Sequence, residues 1–103
     1  MKEINTLKVV PRVEIMRSPS SGREVANQLK IFTNKGVFFQ SYSSIIAFRP
    51  YGREDGEPTV YLSHKWDYSR TTGKYRNQFL NESKQATEAK IKSGQYQVVD
   101  WLR

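Results

Sequence analysis

The sequence predicts an α+β domain: a mainly antiparallel, twisted sheet of five or six strands, with one or two short helices near the C-terminal end. Three observations carry this. Segments of period-2 apolar alternation come one after another before residue 66, helical spacing is confined to residues 69–93, and the last segment returns to alternation. At 103 residues the chain is expected to form one domain, 1–103, because domains cluster at roughly 100–150 residues.

Leu7, Val9, Val13 and Ile15 alternate with Lys8, Arg12 and Glu14, so residues 6–16 read as a strand. Pro11 has no N–H to give to a ladder and points to an edge position or a bulge. Ser18-Pro19-Ser20-Ser21-Gly22 gathers turn formers, after which residues 26–33 resume alternation, with Leu29 and Ile31 on one face and Lys30 and Phe32 on the other. Asn34-Lys35-Gly36 tolerates the positive φ of a three-residue hairpin loop, so 37–41 should pair antiparallel with 26–33. Residues 43–48 continue as strand after a bend at Tyr42-Ser43-Ser44.

Two prolines, two glycines and an acidic run make 50–58 a surface loop with no packed role. Val60, Leu62 and His64 alternate with Tyr61, Ser63 and Lys65 in a strand that runs out near Trp66. Ser69-Arg70-Thr71-Thr72 offers N-caps for a helix with Tyr75 and Phe79 on one face, which Gly73 weakens. A second helix is expected over 83–93, with Gly94 as the left-handed residue beyond its end. Residues 96–102 return to strand, with Tyr96, Val98 and Leu102 opposite Val99 and Trp101, and this last strand is inserted into the sheet or added at an edge.

Composition excludes several chemistries. There is no cysteine, which removes disulfides, thiolate metal sites and cysteine nucleophiles. The single histidine, His64, sits in a predicted strand without a Gly-x-Ser-x-Gly elbow, and the ten acids show no calcium-loop spacing. Thr71-Thr72-Gly73-Lys74 lacks the first glycine of a phosphate loop, and Tyr75 stands where its hydroxyl residue belongs. The expectation is a protein that is not an enzyme, with no cofactor and no metal. The longest apolar run, Ile45-Ile46-Ala47-Phe48, is far short of the roughly 20 residues of a membrane span, and Met1-Lys2-Glu3 does not read as a signal peptide. A soluble, cytoplasmic protein without a membrane partner is expected.

What remains is charge and aromaticity. Lys and Arg total 17 against 10 acids, a net charge of +7. From His64 to Leu80, Lys65, Arg70, Lys74 and Arg76 face one acid, Asp67, and are interleaved with Trp66, Tyr68 and Tyr75. Cations neutralise phosphates and aromatic faces stack on unpaired bases, so this mixture suits nucleic acid. Lys8 and Arg12 are expected to share the outer face of the first strand, with Lys30 beside Phe32 extending a basic sheet face. Structural anchoring of Trp66, Tyr75 and Phe79 in the core is the competing reading of the same residues.

Residues 22–28, 39–47 and above all Trp66-Asp67-Tyr68-Ser69-Arg70-Thr71-Thr72-Gly73-Lys74-Tyr75 resemble stretches of small bacteriophage and mobile-element proteins, over roughly 22–94. No activity comes with that resemblance. It implies a setting in which small proteins bind nucleic acid or block a host enzyme or defence complex, and a host-cell cytoplasm as the location. Two functions are therefore expected. The first is a nucleic-acid-binding accessory protein, for single strands or duplex. The second is an inhibitor that docks on a host protein through exposed anchors such as Trp101, Tyr51 or Arg70. Pairing of edge strands into a homodimer is compatible with either.

Overall fold

Six strands lie side by side in the order in which the chain makes them. They are β1 (Arg12–Arg17), β2 (Glu24–Phe32), β3 (Gly36–Ser41), β4 (Ser44–Pro50), β5 (Val60–Leu62) and β6 (Tyr96–Val98). Two helices, α1 (Arg70–Leu80) and α2 (Lys84–Ser93), occupy the connection from β5 to β6. This is the computed structural model of the chain, and it describes residues 12–103; Lys8, Pro11 and the expected start of the first strand lie outside the described residues. The α+β class, the strand count and the C-terminal helices are as expected.

Neighbouring strands pair antiparallel from β1 to β5. β6 pairs parallel to β5, because the two helices carry the chain back across the sheet before it rejoins at the edge. Residues 42–44 are tighter than a bend. Ser41 pairs with Ser44 across a two-residue turn, with Tyr42 in the left-handed region at φ 56°, so β4 doubles back on β3. The last strand is shorter than its alternation implies: regular pairing ends at Val98, although the Val99 N–H still reaches the Leu62 carbonyl at 2.8 Å.

Both helices begin and end on the residues that favour it. Ser69 caps α1 by accepting from the Thr72 N–H at 3.1 Å, and Ser83 caps α2 by accepting from Ala86 at 3.2 Å. Asn81 and Gly94 close them in left-handed conformations. Between the helices the Glu82 carboxylate accepts from Thr87 at 2.7 Å and pairs with Lys90 at 2.6 Å. Burial alone would raise the Glu82 pKa, but the bonds from Lys90, Thr87 and Tyr96 outweigh it and hold the carboxyl below its ordinary range.

Directly paired residues project to the same face of a sheet, so the register sorts the side chains. Phe39, Ala47, Leu62 and Val98 form one row facing the helices. There Phe39 stacks on Phe79 of α1 with centroids 5.6 Å apart, and Ser41 bonds Thr72 at 2.8 Å. The opposite row is Val13, Ile31, Phe38, Phe48 and Tyr61, and neither helix crosses it.

Gly36 lets the β2–β3 turn lie against the end of β4. A β-carbon there would press on the Arg49 carbonyl and stand 2.7 Å from Phe48 Cε1 and 2.8 Å from Pro50 Cα. Backbone cannot step aside as a flexible side chain can. Gly36→Ala is expected to cost about 2–3 kcal/mol, measured by urea denaturation, and an unchanged midpoint would refute this close approach.

Candidate nucleic-acid interface

Helical spacing divides the residues of α1 between two sides. Tyr75 and Phe79, four apart, enter the core, whereas Arg70 and Lys74 share the solvent side. Arg76 also turns inward and is 1% exposed. Its Nη1 donates to the Trp66 carbonyl at 2.8 Å and to Asp67 Oδ1 at 3.3 Å, and its Nη2 donates to Asn77 Oδ1 at 2.8 Å. The guanidinium carbon lies 5.2 Å from the Trp66 ring centroid. Gly73, which weakens the helix on propensity, faces this group: a β-carbon there would stand 3.5 Å from Arg76 Nη1.

Two of the expected contact residues are thereby corrected. Arg76 is buried and directs Nη1 to the turn that precedes its own helix and Nη2 to Asn77 within it, and Tyr75, 4% exposed, is a core ring. Neither can reach a phosphate or a base. Trp66 is half-buried against the core and beside Arg76, which limits what its ring can offer.

Lys65, Tyr68, Arg70 and Lys74 remain exposed. Tyr68 is 58% exposed, and the Lys65 ammonium sits 6.0 Å from its centroid and 3.2 Å from Ser44 Oγ. Asp67, the lone acid of the segment, is occupied. Its Oδ2 pairs with Lys84 at 2.7 Å while Oδ1 faces Arg76. The Lys84 bond first and Arg76 second, against the opposing effect of burial, hold its carboxyl below the ordinary carboxylate range. No carboxylate among the described residues lies within 4.0 Å of Lys65, Arg70 or Lys74.

Arg12 and Lys30 do share a face with Phe32, but it is the helix-side face and it carries an acid. Arg12 covers the Phe32 ring at 4.2 Å and lies 3.9 Å from Glu14, which pairs with Lys30 across the ladder. The face without helices is apolar. The charged early-strand surface is therefore a partly compensated cluster, and no hydrogen bond joins it to residues 65–74.

A model for a family of unknown function, DUF8033, matches residues 13–96. The chain belongs to that family. The match runs from β1 to the first residue of β6 and takes in the whole 65–76 segment. No curated protein and no solved structure matches the chain.

Elsewhere in this DUF8033 chain, His64 Nε2 meets Asp100 Oδ1 at 2.6 Å, both side chains being exposed. Ser63 is buried, its hydroxyl accepts from the Lys65 N–H at 3.0 Å, and no hydrogen bond joins it to His64 among the described residues, so no Ser-His-Asp triad is formed there. Among the described residues no three His, Cys, Asp or Glu side chains gather as a metal site, and no helix is long and apolar enough to cross a membrane. Sequence reasoning missed the bare sheet face. Its signal was present in Leu29 and Ile31, but seeing it required the register that adds Phe38, Phe48 and Tyr61 to the same side.

Arg76→Lys keeps the charge but has one nitrogen for three acceptors. It is expected to cost about 2–4 kcal/mol in urea denaturation. A variant as stable as the parent would show that the guanidinium bonds do not hold this turn.

Proposed function

We propose that this protein is a nucleic-acid-binding accessory protein, not an enzyme, whose contact surface is formed by Lys65, Tyr68, Arg70 and Lys74. One observation carries the reading: the only acid of the segment is neutralised by Arg76 and Lys84, and among the described residues Lys65, Arg70 and Lys74 have no carboxylate partner, with Lys65 beside the exposed Tyr68. Cations of this kind release counterions from a phosphate chain, and an exposed ring takes an unpaired base on its face. A single strand suits the pair better than duplex, since stacked and paired bases hide their faces. A bacteriophage or mobile-element setting rests on the resemblance of residues 22–94 alone.

Fluorescence anisotropy of a labelled single-stranded oligonucleotide tests this. Three phosphate contacts predict a slope of about −2 for log affinity against log salt, at roughly −0.7 per contact for a single strand. Lys65→Glu, Arg70→Glu and Lys74→Glu together should abolish binding. Failure of the parent protein to bind at about 50 mM salt overturns the reading.

The apolar face favours one second reading, an inhibitor that docks on a host protein, because Val13 and Ile15 stand 60% and 42% exposed opposite the apolar Ile31 and Leu29. It predicts a defined partner that stays bound after nuclease digestion and is lost on Val13→Asp. Retention by that variant would refute it.

A further inference from the structure

We propose that a second site, separate from the helix-side surface, takes a nucleotide: a planar base together with its phosphate. It is a hollow of about 450 Å³ at the edge of the bare sheet face, lined in part by Phe48, Tyr61 and Trp101. The volume falls in the range of small-molecule sites, roughly 300–1,000 Å³.

The aromatic wall is continuous. Phe38 and Phe48 stack at 4.4 Å, Phe48 and Tyr61 at 6.4 Å, and Trp101 closes the row at 5.3 Å from Tyr61 and edge-on to Phe48 at 6.3 Å. Separations this short leave no gap between the rings for a ligand, so the wall can be used only from its outer surface. Trp101 is 58% exposed although it contacts two rings, which leaves an indole surface open to solvent. Its neighbours Val99 and Leu102 are buried and fix the segment that presents it. A flat base is the ligand shape that such a surface accepts best.

The polar groups of the hollow sort by charge. Lys35, at the β2–β3 turn, makes no ion pair among the described residues. Arg53 gives Nη1 to the Glu57 carbonyl at 3.0 Å and makes no other hydrogen bond among those residues. These two cations fit a phosphate. The Glu57 carboxylate repels one, and it is already oriented, since Oε1 accepts from the Glu54 N–H at 2.7 Å, while Oε2 makes no hydrogen bond among the described residues. An oriented acceptor fits the donor edge of a base. Guanine presents an N1–H and an amino group together, whereas uracil presents one N–H. The loop 50–58, expected to have no packed role, is the part of the chain that supplies Arg53 and Glu57 to this wall.

A free nucleotide and a nucleotide within a strand offer the same base and phosphate, and the experiment separates the two sources. Trp emission is titrated with guanosine monophosphate, uridine monophosphate and ribose 5-phosphate, and, in a second arm, with a hexanucleotide carrying one 2-aminopurine. Saturable quenching by guanosine monophosphate, at least about fivefold tighter than by uridine monophosphate and absent with ribose 5-phosphate, is the expected result. Binding read by calorimetry, which does not depend on the indole as reporter, should be lost in Trp101→Ala and weaken at least about fivefold in Lys35→Ala. Response to the hexanucleotide alone, kept in the triple Glu variant of Lys65, Arg70 and Lys74, would identify the source as a strand with the site upheld; the same response lost in that variant overturns the proposal. Ribose 5-phosphate competing as well as the nucleotides, or Trp101→Ala binding as the parent does, overturns the proposal. The triple Glu variant of Lys65, Arg70 and Lys74 keeps the quenching by mononucleotide. Loss of strand binding in that variant with mononucleotide quenching intact, or loss of calorimetric mononucleotide binding in Trp101→Ala with strand binding intact, tells which of the two sites has failed.

Discussion

A guanidinium enters a protein interior only where the interior has acceptors waiting, because burying an unpaired cation costs several kcal/mol. The turn between β5 and α1 supplies them for Arg76. The Trp66 carbonyl, Asp67 and Asn77 are all drawn onto one group, which ties the exit of β5 to the first turns of α1. Asp67 in turn reaches Lys84 at the start of α2. One buried charge thus orders the entry to both helices. Its pairing also removes the only acid that would oppose a polyanion at Lys65, Arg70 and Lys74. Stability and surface charge in this segment have the same origin.

That anchoring decides which side of the sheet is covered. α1 is held over β3 by Phe79 on Phe39 and Thr72 on Ser41, and the two helices then return the chain to β6 on the same side. Two helices of ten and eleven residues cannot cover both faces of a six-stranded sheet. The uncovered face keeps its apolar residues because the rings protect one another by stacking from Phe38 to Trp101. Val13 and Ile15, near the β1 edge, lack that mutual cover and stand exposed.

The elements were legible wherever local chemistry decided them. Alternation marked the strands, Ser69 and Ser83 marked the helix starts, and Gly94 marked a helix end. Tyr42-Ser43 was read as a bend because neither residue is the usual choice for a tight two-residue turn, and pairing of Ser41 with Ser44 settles the geometry instead. In the 65–76 segment the residue types were visible but their directions were not. Spacing put Tyr75 and Phe79 on one side of a helix. For Arg76, however, the decision depends on the Trp66 carbonyl, a backbone atom that no pattern of side chains announces. The hollow was least legible, since Lys35, Arg53, Tyr61 and Trp101 come from four separated parts of the chain.

A net charge of +7 is not spread evenly over what a ligand meets. Among the described residues Lys65, Arg70 and Lys74 stand without carboxylate partners, so on the proposed reading attraction there acts at a distance of about one Debye length, roughly 10 Å at 0.1 M salt. Around the hollow, Glu54, Asp55 and Glu57 share a loop with Arg53 and cancel much of the same attraction. Selectivity at that hollow must therefore come from contact: ring faces, one oriented carboxylate and two nearby cations. On the proposed reading, the two surfaces divide the work between long-range capture of a phosphate chain and short-range recognition of a single base, and raising the salt concentration is expected to weaken the first far more than the second.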